Sequence, residues 1–129
     1  MRGVKPLSEK TISDFEAKFS FHIDPTLRDF LLMNNGGSSS GYIYTQAMQR
    51  TFSSFLDFED RTSPNGAWEI NRRLRNQIGE KRIIIGRDSY KNYICVERNR
   101  QKQKIVVWSH ATNQFDPCLH PIPTFLAFL

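Results

Sequence analysis

The sequence predicts an α+β domain in which helices pack on one face of a twisted antiparallel sheet. Three observations carry this reading. Apolar residues recur at helical spacing between residues 9 and 34, and again between 67 and 78. Three β-branched runs fill the second half, at 82–85, 93–97 and 104–108. The polar intervals between those runs are short, which suits hairpins rather than crossover connections. With 129 residues, of which 39% are apolar, the chain has the length and composition of one globular domain spanning 1–129.

The elements follow in order. Ser8 precedes a stripe of Ile12, Phe15 and Phe19, so a first helix capped by Ser8 is expected over roughly 9–20. Lys10, Asp14 and Lys18 lie on its other face at i,i+4 spacing. Asp24-Pro25 starts a second helix. Asp24 can accept from a first-turn amide, and Pro25 sits where a missing N–H costs nothing. Leu27, Phe30 and Leu31 form its stripe. Asn34-Asn35-Gly36-Gly37 ends it, with a left-handed residue expected at Asn35 or Gly36. The two helices are expected to form a hairpin over 8–36, with Pro25, Asn35, Gly36 and Gly37 as structural positions.

Tyr42 to Thr45 reads as a short strand that opens a sheet-forming region of 42–110. Residues 46–65 contain Phe52, Phe55, Leu56 and Phe58 without a sustained period. An irregular segment, or one helical turn plugging an end of the core, is expected there. A third helix runs from 67 to 78, with Ile70, Leu74 and Ile78 inward, Trp68 at the edge and Glu69 paired with Arg73. Gly79 ends it. Residues 98–104 form a polar connection with four basic side chains. The last seven residues, 123–129, read as a closing helix capped by Thr124.

Lys and Arg number 18 against 13 Asp and Glu, a net charge of +5. That balance permits an acidic partner or nucleic acid and requires neither. Of two cysteines, Cys95 sits in an apolar strand, and both read as reduced thiols. Residues 1–10 have no apolar stretch, and no run approaches a membrane span, so a cytoplasmic protein is expected. Asp57, Glu59 and Asp60 form a local acidic run, without the separation across a cleft that a carboxylate pair needs. His22, His110 and His120 lack metal-ligand spacing, and Cys118 with His120 is only a faint hint of a metal or thiol site. Asn35-Gly36-Gly37 lacks the lysine of a phosphate loop. Basic residues near Tyr90, Tyr93 and Trp108 would suit a single-strand binder, but acidic residues interrupt the field. No catalytic residue, metal or cofactor is expected, and the chain does not read as an enzyme.

Four segments carry a resemblance. They are Ile23-Asp24-Pro25 with Leu27-Arg28-Asp29-Phe30-Leu31; Asn35-Gly36-Gly37; Ile84 to Val96 followed by Lys104 to His110; and Thr124 to Leu129. In order and spacing they resemble the SUKH superfamily, which includes fungal cell-wall assembly regulators and many bacterial immunity proteins. The resemblance covers roughly 8–129. Lys91 stands where the family usually has glycine, and Ser109 where aspartate is frequent. It implies a SUKH-like fold, no catalysis and a protein partner. The function it implies is a non-enzymatic cytoplasmic immunity protein that neutralises a cognate secreted or contact-dependent toxin. The alternative is a regulatory interaction module like the fungal relatives. Nucleic acid and membrane are not expected partners, and monomer and homodimer both remain open. Binding needs aromatic or arginine anchors, and Tyr42, Tyr44, Phe58, Asp60, Arg72, Arg75, Tyr90 and Trp108 are the candidates.

Overall fold

A computed structural model describes all of residues 1–129. Two helices, α1 (Glu9–Phe19) and α2 (Pro25–Asn34), precede strands β1 (Tyr42–Tyr44) and β2 (Gln49–Phe55). Helix α3 (Ala67–Ile78) follows. Then come β3 (Arg82–Asp88), β4 (Tyr93–Asn99), β5 (Lys102–Ser109), β6 (Gln114–Pro117) and α4 (Ile122–Ala127). All six strands form one antiparallel sheet in chain order.

The helix starts are made as the sequence requires. The Ser8 hydroxyl accepts from the Thr11 amide at 3.2 Å. Asp24 Oδ1 accepts from the amides of Thr26 and Leu27, with Pro25 in the first turn. Gly36 takes the left-handed conformation after α2, at φ +68°. Asn35 does something else. It is fully buried, its Oδ1 accepts from the Phe58 amide at 2.8 Å, and its Nδ2 donates to Asp57 Oδ1 and Pro6 O. The Asn-Gly-Gly signature thus stops a helix and also pins the acidic 57–60 loop. Arg28 on α2 reaches back to Glu16 and Glu9 of α1, at 2.9 and 2.7 Å. Asp14 pairs with Lys10, as the spacing suggests, and with Arg61 rather than Lys18. On α3, Glu69 holds Arg72 instead of Arg73.

The segment 46–65 departs from expectation, because residues 49–55 form a full strand. Its register shifts between Phe52 and Ser54, so Phe52 and Phe55 are both buried although they are three apart. That irregularity breaks the two-residue alternation by which a strand is recognised. Strand β6 lies beyond the expected sheet-forming region; its Gln-Phe-Asp-Pro has one apolar ring and no β-branched residue. The 98–104 connection is mostly strand. Arg98 pairs with Gln103 and Asn99 with Lys102, and the turn is tight, with Arg100 at φ +60°. Helix α4 begins at Ile122, and Pro121 rather than Thr124 occupies its N-cap.

The sheet curls until its first and last strands meet. Thr45 bridges Cys118, the Gln46 amide donates to Pro117 O at 3.0 Å, and the Leu119 amide donates to Tyr44 O at 2.8 Å. The helices pack against this curled sheet, as where Phe30 of α2 meets Phe55 of β2, ring centroids 5.9 Å apart. The central strands are buried at consecutive positions, Ile83–Ile85, Ile94–Val96 and Ile105–Trp108, so both faces are dry there. Register places Tyr93, Trp108 and Phe115 side by side on one face, Trp108 stacked between the other two rings. The Arg82 guanidinium lies 3.9 Å over the Phe115 ring while pairing with Glu97.

Where β2 leaves β3, the ladder is completed by a side chain. Asn71 of α3 accepts from the Ile84 amide at 2.7 Å and donates to the Ile84 carbonyl at 2.9 Å. One carboxamide takes the place of a missing strand residue, satisfying a buried donor and acceptor together.

Candidate partner-binding surface

The eight candidate anchors do not form one site. Phe58 and Trp108 have no exposed surface. Phe58 packs edge-on to Phe15 at 4.9 Å, and Trp108 donates to Asn113 Oδ1 from inside the aromatic row. Both rings belong to the core, so neither can touch a partner. Their neighbours in sequence point the same way, since Phe55-Leu56 precedes Phe58 and Ile105-Val106-Val107 precedes Trp108. Asp60 is exposed and held below the usual carboxylate range by the Thr62 amide and hydroxyl. Arg72 and Arg75 lie on α3, where Arg72 is exposed and paired with Glu69 and Arg75 donates to the Phe19 carbonyl. Tyr90 is 83% exposed in the β3–β4 turn. Asp88 shapes that turn by accepting from the amides of Tyr90 and Asn92. Lys91 takes φ +64° there, which explains why glycine suits the position.

Tyr42 and Tyr44 do come together, and the fold brings them new neighbours. Tyr44 meets His120 at 5.8 Å and Phe128 at 5.2 Å, and His120 meets Phe128 at 5.3 Å. Tyr42 lies 6.2 Å from Tyr44. Tyr42 and Phe128 are exposed, at 45% and 42%, as is Leu119, whose amide donates to the Tyr44 carbonyl, at 60%. Three separate segments supply this patch, so sequence reasoning found only its β1 half. Histidine 120 stood out in the sequence only as a possible metal ligand. The backbone binds the segments: the Tyr42 amide donates to the Phe128 carbonyl at 3.0 Å. Gly41 is required here, because a Cβ would lie 2.3 Å from that carbonyl oxygen.

A charged cluster ties the same region from beneath. Arg50 of β2 reaches Asp116 of β6 at 2.8 Å and Asp88 of β3 at 3.4 Å, and all three side chains are largely buried. Asp116 also accepts from the Thr45 hydroxyl at 2.5 Å and the Ala47 amide at 3.0 Å. Burial alone would raise the Asp116 carboxyl, but the Thr45 hydroxyl and the Arg50 guanidinium outweigh it and hold it low. An open cleft of about 430 Å³ between Ala47, Arg50 and Gln114 exposes part of this cluster.

Groups with reactive chemistry are dispersed or muted. Burial pushes the Cys118 thiol up, the backbone amides of His120 and Leu119 oppose this, and Asp116 adds to it. Burial likewise pushes Cys95 up, and the two cysteines are free thiols. No three His, Cys, Asp or Glu side chains gather to hold a metal ion. No helix is long and apolar enough to cross a membrane.

No curated protein and no solved structure gives a match to this chain. A family model does, over residues 6–129, which contain the helical pair, all six strands and the closing helix. The chain belongs to the SMI1 / KNR4 family (SUKH-1).

Proposed function

We propose that this protein is a cytoplasmic immunity protein that binds one toxin domain and blocks it by covering its surface. The patch of Tyr42, Tyr44, His120 and Phe128, with Leu119 at its edge, supports this reading most directly. Its rings touch one another, yet Tyr42 and Phe128 keep nearly half their surface in water. Clustered aromatic side chains on rigid backbone are what a tight protein interface uses as anchors, since they bury much area at little entropic cost. Family membership supports a binding role, because immunity and regulatory functions are what the SUKH resemblance implies. Inhibition by occlusion needs no reacting group of its own, and burial pushes up the thiol of Cys118, the one partly accessible cysteine.

The test is co-expression with each toxin domain encoded beside its gene. A stable complex at micromolar concentration, together with rescue of cell growth, is the expected result. Toxin and protein eluting separately for every neighbouring toxin domain, with no rescue, would contradict the proposal.

A further inference from the structure

Ion pairing leaves the molecule with an uneven surface. Eight cations and eight carboxylates lie within 4 Å of an opposite charge. Ten cations and five carboxylates remain without such a partner. The unpaired cations are not spread evenly. Arg75 of α3 donates to the Phe19 carbonyl at 3.2 Å, and Arg98 of β4 donates to the next carbonyl, Ser20, at 2.7 Å. The Arg98 amide donates to the Lys81 carbonyl. Arg100 and Lys102 form the turn that continues from Arg98, and Lys18 stands in the last turn of α1. Arg75 and Arg98 thus meet at the C-terminal end of α1, with Lys18, Lys81, Arg100 and Lys102 on the adjoining chain. Two carboxylates without an ion pair border them: Glu80, beside Lys81, and Asp24, whose amide donates to Gln103 beside Lys102.

The two arginines are anchored without being neutralised. The carbonyls at a helix C-terminus carry partial negative charge and orient a guanidinium. Phe21 and Phe19 lie beneath the Arg98 and Arg75 groups, at 5.2 and 5.6 Å. Each arginine uses one of its five N–H donors on a carbonyl and leaves the others without a protein acceptor. Such fixed, unsatisfied forks suit carboxylates, because little conformational freedom remains to be lost on binding.

We infer that this basic pole, formed by Lys18, Arg75, Lys81, Arg98, Arg100 and Lys102, docks onto an acidic face of the toxin domain. The inference rests on the immunity reading and deepens it by stating the charge of the contact. Nucleic acid fits the pole less well. Phe19 and Phe21 are buried beneath the arginines, so no ring is exposed there for base stacking. An acidic protein face needs only the forks and the net positive field. Long-range attraction of this kind acts mainly on the rate of association.

The experiment uses the triple variant Lys81→Glu/Arg100→Glu/Lys102→Glu, whose three side chains are exposed and make no ion pair. The Gln counterpart at the same positions serves as a milder control. Both are mixed with the neighbouring toxin domain in stopped flow across a salt series. The expected result is a ten-fold or greater fall in association rate for the Glu variant at low salt. A smaller fall for the Gln variant and a flattened salt dependence are expected with it. A complex that forms at an unchanged rate and with unchanged salt dependence overturns the acidic-face inference and leaves the immunity reading intact. No complex with wild-type protein removes both. Salt-sensitive binding of labelled RNA or DNA by wild type, lost in the Glu variant, would assign the pole to nucleic acid and overturn the inference.

Discussion

The aromatic patch and the basic pole rest on opposite kinds of support. Under the patch, a buried charged cluster of Arg50, Asp88 and Asp116 joins β2, β3 and β6 where the curled sheet closes. On the side of the pole, α3, which carries Arg75, is fixed to β3 by the neutral carboxamide of Asn71. A neutral tie is indifferent to pH and salt. A charged tie is only as good as the ionisation of its carboxylates. The surfaces differ in the same sense, since apolar contact chiefly slows dissociation and charge chiefly speeds association. The two regions should therefore fail under different perturbations.

The largest expected effect comes from Asn71→Ala. It leaves the Ile84 amide and carbonyl buried and unpaired, at a cost of roughly 2–5 kcal/mol. Urea unfolding should show a much lower midpoint, with the loss constant from pH 7 to pH 4. Loss of stability that grows with acidity would contradict the neutral-tie reading.

Asp116→Ala comes next, at roughly 3 kcal/mol, because it strips a largely buried arginine of its closer carboxylate. Here pH matters. The carboxyl is held lower in the folded chain than in the unfolded one, so its ion pair stabilises the fold above about pH 4. That stabilisation is lost as pH falls through the folded value. The wild type should weaken on acidification below pH 4, and Asp116→Asn should show a flatter profile. Parallel pH profiles for the two would break the comparison between the supports.

Legibility in the sequence followed locality. Caps, stops and hairpins are decided by neighbours, so Ser8, Asp24-Pro25, Gly36 and the β3–β4–β5 meander could be read directly. Strand β2 was obscured because its register shift spoils the alternation. Strand β6 was obscured because its four residues include one apolar ring and no β-branched side chain. The patch was half visible. Tyr42 and Tyr44 stand in one short strand, but His120 and Phe128 join them only once the sheet has curled through Thr45 and Cys118. Phe58 and Trp108 could be read two ways, as core rings beside apolar neighbours or as anchors, and the fold takes the core reading for both. Asn35 and Asn71 were beyond local reading, because each serves backbone 13 or more positions away.

The most direct test of the account is the dissociation rate of the toxin complex for Tyr42→Ala/Phe128→Ala, measured beside thermal unfolding of the free protein. Both rings are more than two-fifths exposed, so the melting temperature should scarcely move. The expected result is dissociation faster by about a hundred-fold, the scale of losing two hot-spot rings. Unchanged dissociation in a folded double variant would show that the toxin binds elsewhere and would contradict the assignment of this patch.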